Sequence, residues 1–377
     1  MKKLLIALIL GMFLFVINGT SYAYDPTSLP NNKVGIHILF PSELSQAATL
    51  VNSNGGDFCY VTIPIQSGDK DILKWQKFMD DAKSLHIIPI IRLATEGDYF
   101  NTKVWRKPTF ADVLDFSNFL DSINWPTKNR YIVVYNEVNR GDEWGGTPNA
   151  NEYAQILSYA VAVFKSKNPD FFLISAGMDN ASANTNDAVN EYDFFAQMNQ
   201  AIPGIFNQVD GLSSHSYPNP GFSQPATADT RESITSFKYE KAFISQFTAK
   251  NLPTFITETG WSKDVLPQSV ITKYFQTAFT SVWNDNNVIA VTPFLLSAGG
   301  GPFAQFSFLN PDGSGNEIYQ AIHNLSKVKG LPTLTPSVLA ASVKFTPTVT
   351  KDYSDSLLNV SFRHEVKQVI TYLFQLP

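Results

Sequence analysis

The sequence predicts an α/β protein built as a closed (β/α)8 (TIM) barrel with a short Thr/Pro-rich, β-containing extension at its C-terminus. Three observations carry this. Eight short apolar, β-rich runs alternate with helix-like stretches, and they occupy roughly 300 residues, the size of such a barrel. The runs are almost continuously apolar, as strands covered on both faces are. Their polar residues gather at the C-terminal ends, where the strands of such a barrel converge on one pocket.

The runs, in order, are 33–39 (KVGIHIL), 57–65 (DFCYVTIPI), 87–94 (IIPIIRLA) and 131–137 (YIVVYNE), then 171–177 (FFLISAG), 209–217 (VDGLSSHSY), 253–259 (PTFITET) and 288–296 (VIAVTPFLL). Amphipathic spacing predicts helices over 71–85, 110–123, 151–167, 233–249, 267–284 and 317–325. An open doubly wound sheet is the rival. It announces itself with a glycine-rich phosphate turn after an early strand, and the first run continues instead as HILFPSELSQ. Residues 328–377 change character: prolines break KGLPTLTPSVLAASVKFTPTVT, and LLNVSF and VITYLF suit short strands of a small appended β-unit, the alternatives being a linker ending a truncated module and a floppy tail. The expected organisation is a leader at 1–23, a barrel domain at 24–327 and the extension at 328–377.

At the N-terminus Lys2 and Lys3 precede an apolar stretch from Leu4 to Ile17, and Ser21-Tyr22-Ala23 fits a small-x-small cleavage site. This reads as an export signal, with the mature chain starting near Tyr24. The apolar stretch is shorter than the ~20 residues that span a bilayer, and an uncleaved N-terminal anchor is the alternative. Secretion and no further membrane association are expected. The leader carries two lysines and no acid, so its removal takes the formal charge from −5 to −7. Such a chain is ill suited to neutralise phosphates, so no nucleic-acid partner is expected. Cys59 is the sole cysteine, which rules out an intrachain disulfide. The five histidines (His37, His86, His215, His323 and His364) form no HxH or HExxH pattern, and no metal or organic cofactor is expected.

The chemistry concentrates at the strand ends. His37 stands on the first run, Arg92 on the third, Asn136 and Glu137 on the fourth, His215 and Tyr217 on the sixth, and Glu258 on the seventh with Trp261 just beyond. In a barrel of eight, the fourth and seventh strands face each other across the mouth. Two carboxyls opposed across a pocket are what glycosidic cleavage requires. One donates a proton to the leaving oxygen; the other stays ionised to attack the anomeric carbon or stabilise charge there, held by Arg92, Tyr217 or His215. Asn136 would bond a sugar hydroxyl, and Trp144 and Trp261 would stack on sugar faces. Weighed against this, Glu137 also suits a loop ion pair with Arg140, and His215 and His37 suit a satisfied core. Asp142 and Glu143 read as solvated loop charges, Glu96 as a rim group, and Trp75, Trp105, Trp125 and Trp283 as packing residues on or beside helices.

These motifs resemble the clan A glycoside hydrolases, the group of β-glucanases, cellulases, mannanases and β-xylosidases. YNE closes the fourth run, HSYP the sixth and TETGW the seventh, and the ending FSFLNPDGSGNEIYQAI is also similar. The resemblance covers residues 33–327. It implies retaining hydrolysis of β-linked carbohydrate, an oligo- or polysaccharide, with Glu137 as acid/base, Glu258 as nucleophile and their carboxyls about 5–5.5 Å apart. Two positions depart from the clan's pattern. The second strand lacks the usual arginine, for which Arg92 stands in, and the eighth offers Phe294 and Leu295 where a tryptophan is usual. The other readings of the same residues are a barrel that binds polysaccharide without turning it over and a structural surface protein.

Overall fold

The computed structural model describes residues 23–298 and 301–335. The expected leader, apart from Ala23, and the two short strands expected in the extension lie outside the described residues. Eight parallel strands run β1 Gly35–His37, β2 Cys59–Gln66, β3 Ile87–Ala94, β4 Arg130–Val133, β5 Phe171–Ile174, β6 Leu212–His215, β7 Thr254–Glu258 and β8 Val288–Val291. Strands β1 to β5 pair in sequence, as do β6 to β8. Parallel bridges Ile174–Gly211 and Val34–Val291 join β5 to β6 and β8 back to β1. Each of the eight predicted runs overlaps one strand of this barrel, with β2 running one residue past its run and β4 starting one residue before.

Helices cover the outside: α1 Leu44–Val51, α2 Ile72–Ser84, α3 Phe110–Ser122, α4 Ala150–Lys167, α5 Glu191–Ala201, α6 Ile205–Gln208, α7 Ser236–Ile244, α8 Gln268–Thr277 and α9 Glu317–Asn324. Their starts are written in local chemistry. Asp71 accepts from the Leu73 and Lys74 amides, Asn149 from Asn151 and Glu152, and Asn316 from Ile318 and Tyr319. Each satisfies N–H groups that the first turn would leave orphaned. Thr109 and Asp112 cap α3 reciprocally. The amphipathic spacing does not mark α1, α5 or α6, and α7 is shorter than the predicted 233–249 because 245–249 continue as turns.

Inside the barrel, side chains alternate in and out with period two. Tyr60, Ile88, Ile90, Tyr131, Val133, Phe172 and Phe255 fill its lower half. Tyr131 meets Phe172 and Phe255 with ring centroids 5.1 and 5.2 Å apart; tilted pairs of this kind contribute roughly 0.5–1.5 kcal/mol beyond their buried area. One step up, the inward positions become hydroxyls. Thr62 bonds Thr292 at 2.8 Å, and Ser213 bonds Thr257 at 2.5 Å. The next step brings Arg92 on β3 and His215 on β6. Apolar floor and charged rim thus follow from reading inward residues along one strand, as in Ile88, Ile90, Arg92, while β2, β6, β7 and the end of β8 supply the hydroxyl belt between them.

At the opposite end of the barrel, residues 329–335 run beneath the strands. They bridge Asp57 through Lys329 and Thr127 through Leu334, and the compact unit ends at Thr335. Among the described residues no helix is long and apolar enough to cross a membrane.

Candidate active site

The predicted fourth run ends early. β4 stops at Val133, and the chain turns so sharply that Tyr135 (φ 70°) and Glu137 (φ 36°) both adopt left-handed backbone. Non-glycine residues rarely do so, and such outliers gather at functional sites. The Glu137 amide donates to Gly177 O at the end of β5 (3.0 Å), which fixes the turn. On the other side, β6 and β7 pair Ser214 with Ile256 but His215 with Glu258, so Thr257 is an extra residue. A bulge of this kind re-aims the side chain that follows it, and here it sets Glu258 beside His215.

One oxygen of Glu137, one of Glu258 and a ring nitrogen of His215 lie within 4.8 Å of one another. His215 Nδ1 is 3.0 Å from Glu137 Oε1 and 3.8 Å from Glu258 Oε2. The Tyr217 hydroxyl donates to Glu258 Oε2 at 3.0 Å. Arg92 Nη1 donates to Glu258 Oε1 and, at 2.7 Å, to Asn136 Oδ1. His37 Nε2 lies 3.8 Å from Glu258 Oε1 with its ring edge-on to Phe294. Seven residues expected at the site therefore meet there: Glu137, Glu258, Asn136, His215, Tyr217, Arg92 and His37.

Burial alone would raise the Glu258 pKa. His215, Arg92 and His37 and the Tyr217 hydroxyl outweigh it and bring it down to about 2, so this carboxylate is ionised. Burial and the Arg92 charge push His37 down to about 3, leaving it neutral above that. Burial opposes a charge on His215 too, but Glu258 and Glu137 prevail and raise its pKa. The His215 ring fits because position 177 is glycine: a Cβ there would lie 2.2 Å from His215 Cδ2.

Glu137 also meets Arg140, with Nη1 3.3 Å from Oε2. The loop ion pair and the site role are thus the same residue's two contacts. Arg140 holds Asp142 through two bonds of 3.0 and 2.6 Å and approaches Asp179 at 3.6 Å. These residues line a cleft of about 370 Å³, with Tyr99, Trp105, Glu143, Phe294 and Phe303 among its other walls.

Four expectations are corrected. Trp261 is 1% exposed, packed edge-on against Phe275 with its Nε1 donating to Gln224 O at 2.8 Å. Trp144 is equally buried, against Tyr135 and Tyr153. Neither presents a face to the cleft. Both follow a strand in sequence, yet each is buried against other rings. Conversely, Trp105, read as a packing residue, lines the cleft, and so does Glu143, read as solvated. Burial and the Glu137 charge push Glu143 up to about 8. The signal for Trp105 was the unusual length of the β3–α3 connection, 95–109, on the functional end of the barrel.

The fold stands independently of any sequence match. No family model matches the chain, and no curated protein does. Solved structures do. One is a family 39 glycoside hydrolase from the gut symbiont Bacteroides cellulosilyticus WH2, 16% identical over 79% of this chain with a TM-score of 0.54; this chain spans 64% of its length. A GH39 β-xylosidase from Caulobacter crescentus is 17% identical over 81% of this chain and 72% of its own, with a TM-score of 0.56. A GH5_18 structure from Bifidobacterium longum subsp. infantis is 13% identical over 78% of each chain, with a TM-score of 0.55. The protein therefore shares the (β/α)8 fold of these glycoside hydrolase structures. At these identities the likeness speaks of the fold alone.

Proposed function

We propose that this protein is an exported retaining glycoside hydrolase that cleaves β-linked oligo- or polysaccharide by double displacement. The observation that carries the proposal is the pair itself: two carboxylates from opposite sides of the barrel, with oxygens no more than 4.8 Å apart. So close an approach fits the shorter carboxyl separation of retention, in which a side chain attacks directly, better than the wider one that inversion needs for its water. Glu258, held ionised, is the nucleophile. Glu137 gives its proton to the departing oxygen, then takes one from the water that releases the sugar. Arg92 and Tyr217 keep Glu258 charged and aimed. Asn136, fixed through its Oδ1, turns its remaining hydrogen-bonding capacity to a sugar hydroxyl in the cleft. His215 lies 3.0 Å from Glu137 and stabilises whichever carboxylate is charged as the proton moves.

The mature protein should hydrolyse aryl β-glycosides of at least one common sugar, and proton NMR should show the β-anomer of the product first. An α-anomer as first product would contradict the mechanism. Binding of β-glycans with no turnover of any would replace it with a binding role. The leader-like sequence supports export, and loss of the protein from culture medium on deleting residues 2–23 would test it.

A further inference from the structure

The cleft does not end at the carboxylates. Trp105 and Tyr99 line it with ring centroids 5.9 Å apart, and Phe40 follows at 6.0 Å from Tyr99. Phe40 is 46% exposed and stands outside the cleft, on the connection after β1. Single exposed rings are ordinary. Three in a contiguous line, starting in a cleft and leaving it, are not.

Two of the three rings, Trp105 and Phe40, are held in place by their own backbone. The Trp105 amide donates to Asp142 O (2.7 Å), and its carbonyl accepts from Gly145 (2.9 Å), tying it to the loop that carries Arg140 and Glu143. Gly97 packs against the indole so closely that a Cβ would come within 2.6 Å of it. Arg106, the next residue, forms bidentate bonds with Asp112 (2.9 and 2.7 Å) and two more to Glu96 (2.9 and 2.7 Å). Exposed ion pairs add little stability, so the consequence of this clamp is geometric: it spans the loop that bears Tyr99 and Trp105. Near Phe40, the Glu43 carboxylate accepts from the Leu39 and Phe40 amides, both at 2.8 Å. Rings already ordered lose little freedom on binding, which is how a platform gains affinity.

We propose that Trp105, Tyr99 and Phe40 form an aromatic track that carries a β-glycan chain beyond the units flanking the scissile bond, so that the protein acts within long chains rather than on disaccharides. This rests on the glycosidase reading for its substrate class, but it can be tested without turnover. The Glu258→Gln protein is titrated with cello-, laminari-, manno- and xylo-oligosaccharides of two and six units. In the series it binds, the hexasaccharide should bind at least tenfold tighter than the disaccharide. Trp105→Ala and Phe40→Ala should each shrink that ratio about three- to tenfold, the scale of one ring contact, and Trp105→Phe should restore most of it. Equal affinity for both lengths, equal weakening of both by the alanine variants, or binding of no series overturns the track. Because Phe40 is exposed, its variant keeps the test decisive should Trp105→Ala fold poorly. A wild-type protein that cleaves aryl glycosides without length preference refutes the track alone. One that binds long chains through these rings but cleaves nothing refutes the hydrolase reading alone.

Discussion

Two pairs of glutamates stand on either side of β6, and their surroundings give Glu258 of the inner pair a character opposite to that of the outer pair. Glu137 and Glu258 face the cleft, with Arg92, Arg140, His37 and His215 around them. Glu191 on α5 and Glu240 on α7 lie in the outer layer, 1% and 4% exposed. Ser214, the neighbour of His215, donates to Glu240 Oε1 at 2.8 Å. Burial raises Glu240 to about 7 despite its serine bonds, and burial together with the Glu240 charge raises Glu191 well above its ordinary value. Burial acts on Glu258 in the same direction as on Glu191 and Glu240. What makes one carboxylate a nucleophile is the cation and hydroxyl placed on it.

Removing partners should erase that difference in graded steps. Glu137→Gln, which keeps shape but cannot donate a proton, should lower kcat by about a hundred- to ten-thousandfold. The loss should shrink on dinitrophenyl glycosides, whose leaving groups need no proton, and steady-state kinetics on the two substrate types checks this. Tyr217→Phe removes a hydrogen bond to a charged group, a matter of roughly 1.5–3 kcal/mol, so kcat/KM should fall at least about tenfold. Without the hydroxyl, the Glu258 pKa rises, and the acidic limb of the pH profile should move to higher pH. An unmoved limb would mean that Arg92 and the histidines alone hold the charge.

Gly177→Ala should push His215 off Glu137 and destabilise the fold by roughly 1–3 kcal/mol, the cost of overpacking a core, as read by urea unfolding. The smallest effect belongs to the outer pair. The folded-state pKa of Glu240 lies near 7, above the ordinary 4.5. The folded state then holds more protons than the unfolded chain between these values, and stability falls as pH rises through that window. Glu240→Gln should flatten the decline, gaining more in Tm at pH 8 than at pH 4.5. Glu258 runs the other way: its stabilisation is present above pH 4.5 and is lost as pH falls towards about 2.

The sequence made the barrel readable because its strands are buried on both faces, so hydrophobic runs such as IIPIIRLA mark them without ambiguity. The same runs exposed the site, since a charged residue such as Arg92 or Glu258 at the end of an apolar strand is conspicuous. Residues beyond the strands were harder to place. Trp144 and Trp261 follow β4 and β7 in sequence, yet both are buried, Trp144 against Tyr135 and Tyr153 and Trp261 against Phe275. Trp105, distant from any strand end, reaches the cleft because backbone bonds to Asp142 and Gly145 bring it there. Glu143, half-buried on the same loop, lines the cleft as well. Side-chain position on a long connection depends on contacts between loops, which periodicity does not encode.

The most direct test of the central claim is azide rescue of the two alanine variants on an activated aryl β-glycoside. Glu258→Ala should be inactive alone and, with azide, should yield the α-glycosyl azide, because azide occupies the nucleophile's place. Glu137→Ala with azide should yield the β-glycosyl azide, because azide then intercepts an intermediate still bound to Glu258. Wild-type rates in both alanine variants, or the same azide anomer from each, would contradict the assignment of these two glutamates.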